Sequence, residues 1–189
     1  MEAFFTSIVV VALAEIGDKT MLLAMLLAAR FRAPWPIAAG ILLATLANHF
    51  LAALLGSEIA GFFDSELFRY LVAAGFVGMG LWTLIPDKFE ESDEPKNLGG
   101  AFLTTLIAFF LVEIGDKTQI ATIALGARFH DALSVTAGTT LGMLLANGPV
   151  LWLGDKLADR LPLALIRTLA AALFVIMGLW LAAETASLF

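Results

Sequence analysis

Six apolar stretches dominate the chain, at residues 3–29, 35–60, 67–85, 101–127, 132–158 and 163–183. Each is about 19–27 residues long, enough for an α-helix to cross a ~30 Å hydrocarbon core. They are rich in Ala and Leu and do not alternate polar with apolar, so they predict helices, not barrel strands. Prolines punctuate them. Pro34 and Pro36 open the second stretch, Pro86 closes the third, and Pro162 opens the sixth. Between the third and fourth lies PDKFEESDEPKNLGG (86–100), an acidic and flexible linker by composition.

The pattern repeats without gaps at an offset of 98 residues. Ala3-Phe4 matches Ala101-Phe102, Arg30-Phe31 matches Arg128-Phe129, and Ala39-Gly40 matches Ala137-Gly138. Gly56 matches Gly154, Arg69 matches Arg167, and Met79-Gly80-Leu81-Trp82 matches Met177-Gly178-Leu179-Trp180. The expected fold is therefore all-α and polytopic: six transmembrane helices as two three-helix repeats, 1–85 and 101–189, joined by the linker 86–100. Three spans per repeat is an odd number, so the second repeat enters the membrane from the opposite side. Inverted repeats of this kind are a mark of secondary transporters, whose substrate sites lie near the midplane.

Composition agrees with a membrane protein. Of 189 residues, 60% are hydrophobic, and the mean hydropathy is +0.92, against about 45–50% apolar in soluble domains. There is no cysteine, which excludes disulfides and thiolate ligation. The net charge of −6 comes partly from the linker, and no basic face suggests nucleic acid. The start, MEAFFTSIVV, has no Lys or Arg ahead of the apolar run. It lacks the charged segment of a cleaved signal, so the first helix is expected to be retained. Arg30, Arg32, Lys88, Lys96, Lys156, Arg160 and Arg167 lie on one side of the predicted membrane, and only Arg69 and Arg128 on the other. The positive-inside rule then puts the central loop in the cytoplasm and both termini outside. Trp35, Trp82, Trp152, Trp180 and Tyr70 fall toward span ends, as interfacial anchors do.

Within this apolar frame the string EIGDKT occurs twice, at 15–20 and 113–118. Glu15 lies ~18 Å along the helix axis from Ala3, about half the hydrocarbon thickness, and Glu113 is placed likewise from the other side. A charge at that depth costs roughly 2.5–3.5 kcal/mol on insertion scales. Glu15 and Asp18 are i,i+3 neighbours on one helix face, and so are Glu113 and Asp116. If the first and fourth helices cross, four carboxylates converge. Gly17 and Gly115 would either allow close crossing or let the backbone open. Four carboxylates in low dielectric do not all stay ionised without cations. The bland alternative is two neutral pairs, Glu15–Lys19 and Glu113–Lys117, which leaves Asp18 and Asp116 unexplained. Lys19 and Lys117 are otherwise expected to snorkel away from the acidic layer on opposite sides, as charge-balancing gates.

Hard oxygen donors favour Mg²⁺, Ca²⁺ or Mn²⁺. Gln119, Asn48, His49 and Asn147 lie at similar depth and are candidate further ligands; a nitrogen from His49 would favour Mn²⁺. Asn147-Gly148-Pro149 should weaken the fifth helix and free carbonyls. Thr20 and Thr118 are expected to bond their own backbone.

The two motifs, the doubled three-helix pattern and the acidic linker resemble the small cation-transporter family that includes Golgi calcium/manganese transporters and bacterial manganese exporters. Its motif is E-x-G-D-[KR]-[ST], once per repeat, and both copies here fit; Gln119 follows the second copy, as it often does in that family. The resemblance covers essentially the whole chain. It implies divalent-cation/proton antiport, with Glu15, Asp18, Glu113 and Asp116 as the acidic ligands. Nothing matches the N-terminal extension of eukaryotic members, which points to a bacterial inner membrane. No cofactor is expected: Mn²⁺ or Ca²⁺ would be substrate and H⁺ the coupling ion. Expected partners are the lipid bilayer, the cation and protons, with a homodimer left open. An amino-acid exporter lacks an evident carboxylate receptor here. An intramembrane aspartyl-type enzyme fits the symmetry poorly, and a channel would have an odd filter. Without a nucleotide-binding motif, ATP is not the expected energy source.

Overall fold

Neither motif-bearing stretch forms one helix. In the computed structural model, which describes residues 1–63, 65–86, 95–153 and 161–187, each opens at its EIGDKT string. The first becomes α1 (Glu2–Glu15) and α2 (Lys19–Phe31), and the fourth becomes α5 (Ala101–Glu113) and α6 (Lys117–Phe129). Ile16 and Ile114 are extended, with ψ of 114° in both. Gly17 and Gly115 follow in the left-handed region at φ 84° and 81°. Only glycine enters that region without a steric cost from Cβ. Asp18 and Asp116 then stand at the N-cap positions of the next helices in extended geometry; the Asp18 side chain accepts from Lys19 N, whereas that of Asp116 makes no capping hydrogen bond. Of the two roles open to these glycines, backbone opening is the one adopted.

The break corrects a second expectation. Glu15 and Asp18 do not share a face of one helix, because no helix runs between them; the same holds for Glu113 and Asp116 and for both Glu–Lys pairs.

The other helices are α3 (Pro34–Phe62), α4 (Glu66–Thr83), α7 (Ala132–Asn147), α8 (Val150–Leu153) and α9 (Leu163–Thr185). Among the described residues all regular structure is helical. Pro34 sits in the first turn of α3, where its missing N–H costs nothing. Ser65 caps α4 by accepting from Phe68 N at 3.2 Å. Asp131 caps α7 by accepting from Ser134 N at 3.0 Å, and these Ser134 hydrogen bonds hold its carboxyl below the ordinary range. α7 ends at Asn147, as the Asn-Gly-Pro sequence predicts. Residues 154–160, the end of the expected fifth stretch, and 87–94, most of the expected linker, lie outside the described residues.

Among the described helices, α3 and α9 are individually long and apolar enough to cross a membrane, and α5 is a shorter apolar helix. The six-span count from hydropathy is therefore not matched helix for helix. The motif breaks split two of the expected spans, and the Asn147 stop shortens a third.

The repeats interlock. α3 of the first packs on α5 and α6 of the second, while α7 of the second packs on α1 of the first. At the α3–α6 crossing, a Cβ on Gly56 would overlap the Ile123 carbonyl, and one on Gly126 the Ala53 carbonyl. Such close backbone approach is what small residues provide between membrane helices. α4 and α9 pair across the repeats through Phe76 and Phe174, stacked with centroids 6.5 Å apart. These crossings carry the polar side chains of the two breaks into contact.

Candidate functional site

Each break leaves a helix C-terminus, a bend and a helix N-terminus; both glutamates are buried, whereas the bend at Ile114 and Gly115 is exposed. Helix ends present unsatisfied backbone groups and partial charges. Glu15 closes α1 and Glu113 closes α5, both fully buried. Neither is served mainly by its own repeat. Thr118 Oγ1 donates to Glu15 Oε2 at 2.8 Å, and His49 Nε2 lies 3.3 Å from Glu113 Oε2. Asn147, the offset-98 counterpart of His49, lies beside Glu15. His49 and Asn147, at equivalent positions of the two repeats, thus each reach the other repeat's glutamate.

Gln119 fastens the second break. Its Oε1 accepts from Gly115 N at 2.8 Å, and its Nε2 donates to Asn48 Oδ1. Asn48 Nδ2 in turn donates to Phe110 O at 3.1 Å. Asn147 Nδ2 donates to Met143 O at 3.2 Å and approaches Met143 Sδ at 2.8 Å.

Several buried acceptors have no hydrogen-bond partner in the protein: Glu15 Oε1, Glu113 Oε1 and Asn147 Oδ1, together with His49 Nδ1. An orphaned buried polar group costs about 1–3 kcal/mol, more when charged. In the tautomer whose Nε2–H donates to Glu113, His49 keeps Nδ1 as a lone pair. Glu15 lies within electrostatic reach of Glu113 and Asp116, and Glu113 within reach of Asp116. Like charges gathered in low dielectric are stable only with protons or cations among them.

Among the described residues no three His, Asp or Glu side chains form a ready-made metal cage. Asp18 Oδ1 instead accepts from Lys19 N at 2.6 Å, and Asp18 lines a small cavity with Thr83, Lys117 and Arg167. Lys117 also departs from expectation. It is buried, donates to Ile85 O at 3.1 Å and sits 5.9 Å from the Trp82 ring centroid, at the C-terminal end of α4. It bends toward that end because a carbonyl and an aromatic face are available there to an ammonium group with little access to water.

Thr118 corrects the expectation of a backbone bond, since its hydroxyl serves Glu15 across the repeats. Thr122, one turn on, makes the backbone bond instead, to Thr118 O at 2.8 Å. Thr20 Oγ1 is buried without a partner. Arg167 and the Ile85 carbonyl were not identified from sequence. Arg167 carried a signal, as the repeat partner of Arg69; a backbone carbonyl carries none.

The chain matches the sequence model of the family described as "Divalent cation/proton antiporter GDT1" over residues 3–91 and 101–188. A Vibrio cholerae serotype O1 protein named "Putative manganese exporter" is 53% identical over 180 residues, covering 95% of this chain and 90% of its own length. "GDT1-like protein sll0615" of Synechocystis is 28% identical over 204 residues, covering 95% of this chain and 98% of its own. "GDT1-like protein 5" of Arabidopsis thaliana is 28% identical over 218 residues, covering 95% and 94%. No solved structure matches the chain. A doubled acidic motif at two symmetric helix breaks, with a family match over both halves and a 53% identical relative covered over 90% of its length, makes this chain a member of the GDT1 divalent cation/proton antiporter family.

Proposed function

We propose that the chain exports Mn²⁺, with Ca²⁺ as a second cargo, across a bacterial inner membrane in exchange for protons. The observation that carries this reading is the set of buried acceptors without partners, Glu15 Oε1, Glu113 Oε1, Asn147 Oδ1 and His49 Nδ1, held beside two helix breaks. A divalent cation or protons would satisfy them, and the two would compete because carboxylates must lose protons to bind metal. Oxygen donors with one imidazole nitrogen suit Mn²⁺. The C-terminal ends of α1 and α5 add partial negative charge, as broken helices do around cations in transporters.

In this account α1–α2 and α5–α6 each count as one broken span, and α3, α4, α7 and α9 complete six in two inverted repeats. Both termini face outward and the loop after α4 faces the cytoplasm. Glu15 and Glu113 exchange metal for protons. Asp18 and Asp116, each at a helix N-terminus whose positive end favours a carboxylate, serve as lasting ligands. The absence of a closed cage fits a transporter, which must release its ion, with the shell completed by rearrangement on binding. Gln119 and Asn48 hold the second break in place, and Lys117 seals one end of the path.

Metal uptake into inside-out vesicles under an imposed pH gradient tests this, with Mn²⁺, Ca²⁺ and Mg²⁺ run in parallel. Gradient-driven Mn²⁺ uptake that collapses with a protonophore is the expected result. Uptake indifferent to the gradient would refute exchange.

A further inference from the structure

The two breaks are equivalent in sequence but not in cover. A Cβ on Gly17 would lie 3.0 Å from Leu163 Cδ2, whereas nothing lies within 4 Å of one on Gly115. Ala14 and Ile16 line a cavity of about 10 Å³, together with Asp18, Thr83, Lys117 and Arg167. Their repeat counterparts Val112 and Ile114 line one of about 510 Å³. Ile114 is 56% exposed, while Ile16 is partly buried against the core.

The cover over the first break comes from α4 and α9. These two helices form a unit that obeys the repeat symmetry. Phe76 stacks on its counterpart Phe174. A Cβ on Gly80 would meet the Ala171 carbonyl at 2.8 Å, and one on Gly178 the carbonyl of Ala73, the counterpart of Ala171, at 2.6 Å. Packing among the motif-bearing helices obeys the symmetry too: α1 packs on α6 as α5 does on α2, and α1 on α7 as α5 does on α3. The seat of the α4–α9 pair does not. α9 packs on α1 and α4 on α6, yet among the described residues neither α4 with α5 nor α9 with α2 makes a comparable contact. A symmetric pair seated to one side of a symmetric frame has an equivalent seat on the other side.

We propose that α4 and α9 rock as one body between the two breaks, covering one and baring the other. In the state seen here the pair covers the first break, with Leu163, Thr83 and Arg167 around Gly17 and Asp18. In the second state their counterparts Ser65, Leu181 and Arg69 surround Gly115 and Asp116, and the first break is bared. Lys19 then reaches the C-terminal end of α9 as Lys117 now reaches that of α4. Rocking of one bundle against another is how inverted repeats alternate access, and the link to cation transport rests on the exchange reading above. One contact belongs to the present seat alone. Arg128 of α6 donates to Glu184 of α9 at 2.7 Å, whereas the counterpart positions hold Arg30 and Pro86, with no carboxylate to clasp.

The chain has no cysteine, so Ile16→Cys and Ile114→Cys, made singly, report the cover of each break by their rate of reaction with a maleimide. The full detergent-purified chain is used, without metal. Ile114→Cys should react faster than Ile16→Cys. Adding Glu184→Gln, which opens the clasp, should speed reaction at position 16 and slow it at position 114. The ratio of the two rates should shift about two- to fivefold, the range an exposed ion pair supports. A short, reductant-cleavable bis-thiol reagent should link Ile16→Cys to Leu163→Cys in one state and Ile114→Cys to Ser65→Cys in the other. Each link should stop Mn²⁺ flux until reductant is added. Thermal melting reports folding, and the labelling rates decide the matter if a double-cysteine variant does not fold. Labelling rates that stay put or move together in Glu184→Gln, no second-state link in a folded chain, or wild-type flux through either link would each overturn the proposal. Labelling and linking need no metal, so reciprocal rates alongside failed gradient-driven uptake would leave the rocking standing and remove the exchange reading.

Discussion

Replacing Gly115 by alanine should change the stability of the protein with a sign that depends on whether the motif is broken or helical. In a continuous helix, Gly→Ala stabilises by about 0.5–1 kcal/mol, since glycine loses more backbone entropy. At φ 81° an L-residue instead meets its own carbonyl, a cost of about 1–2 kcal/mol. Nothing lies within 4 Å of a Cβ at Gly115, so no steric clash adds to the backbone strain, which outweighs the entropy gain. For a chain of this size about 1 kcal/mol moves Tm by roughly 2–4 °C, so Gly115→Ala should lower Tm by roughly 2–8 °C. Gly17→Ala carries the same strain, at φ 84°, plus a contact of 3.0 Å with Leu163 Cδ2, the far end of a flexible side chain, and should be slightly worse. Gly115→Asn should be milder than alanine, because asparagine tolerates the left-handed region, and Gly115→Val harsher. Gly78→Ala in α4, with open space around its Cβ, is the control and should be neutral or stabilising. The assay is thermal melting in detergent, with Mn²⁺ flux measured on the same variants. A Tm raised by Gly115→Ala would refute the break and restore the continuous helix.

Gly56→Ala and Gly126→Ala place a Cβ on the facing carbonyls of Ile123 and Ala53; prising α3 from α6 should lower Tm and abolish flux, since Asn48–Gln119 crosses that contact and His49–Glu113 joins the same helix α3 to α5. Thr118→Val removes the 2.8 Å hydroxyl contact to Glu15 and should destabilise by about 1–3 kcal/mol, whereas Thr118→Ser should recover most of the loss in the same melting assay. Cysteines at Lys96 and Ser187 should be labelled by an impermeant reagent only from the cytoplasmic side and only from outside, respectively; the reverse would overturn the direction of export. Glu15→Gln, Asp18→Asn, Glu113→Gln and Asp116→Asn should each abolish vesicle transport while the folded protein stays in the membrane, and wild-type flux in any one would remove that residue from the site.

Helix limits were legible where apolar runs end in proline or a capping residue. The second, third and sixth predicted stretches differ from α3, α4 and α9 by at most two residues at either end. The breaks were not, because glycine in an apolar run is equally compatible with close packing and with a left-handed turn, and only the fold decides. The error spread from there: treating EIGDKT as helical put Glu15 and Asp18 on one face, whereas Asp18 caps α2. The depth of the polar residues was readable by counting from each span's start, and His49, Asn147, Asn48 and Gln119 do gather near the breaks. Their pairing was not readable. Thr118 serves Glu15 from 103 positions away, a contact set by the α1–α6 approach and not by local spacing. Lys117 was expected to snorkel, but it is buried, with the Ile85 carbonyl and the Trp82 ring among its contacts.

The central claim is that a divalent cation and protons compete for the glutamates at the two breaks, and proton release on metal binding tests it most directly. Mn²⁺ is added to unbuffered, detergent-solubilised protein, and the released protons are counted alongside Mn²⁺ affinity from about pH 8 to about 5.5. The account predicts proton release, affinity that falls as pH falls, loss of most of the release in Glu15→Gln, and loss of affinity at every pH in Asp18→Asn. Mn²⁺ binding that is independent of pH over that range, with no proton released, would contradict it.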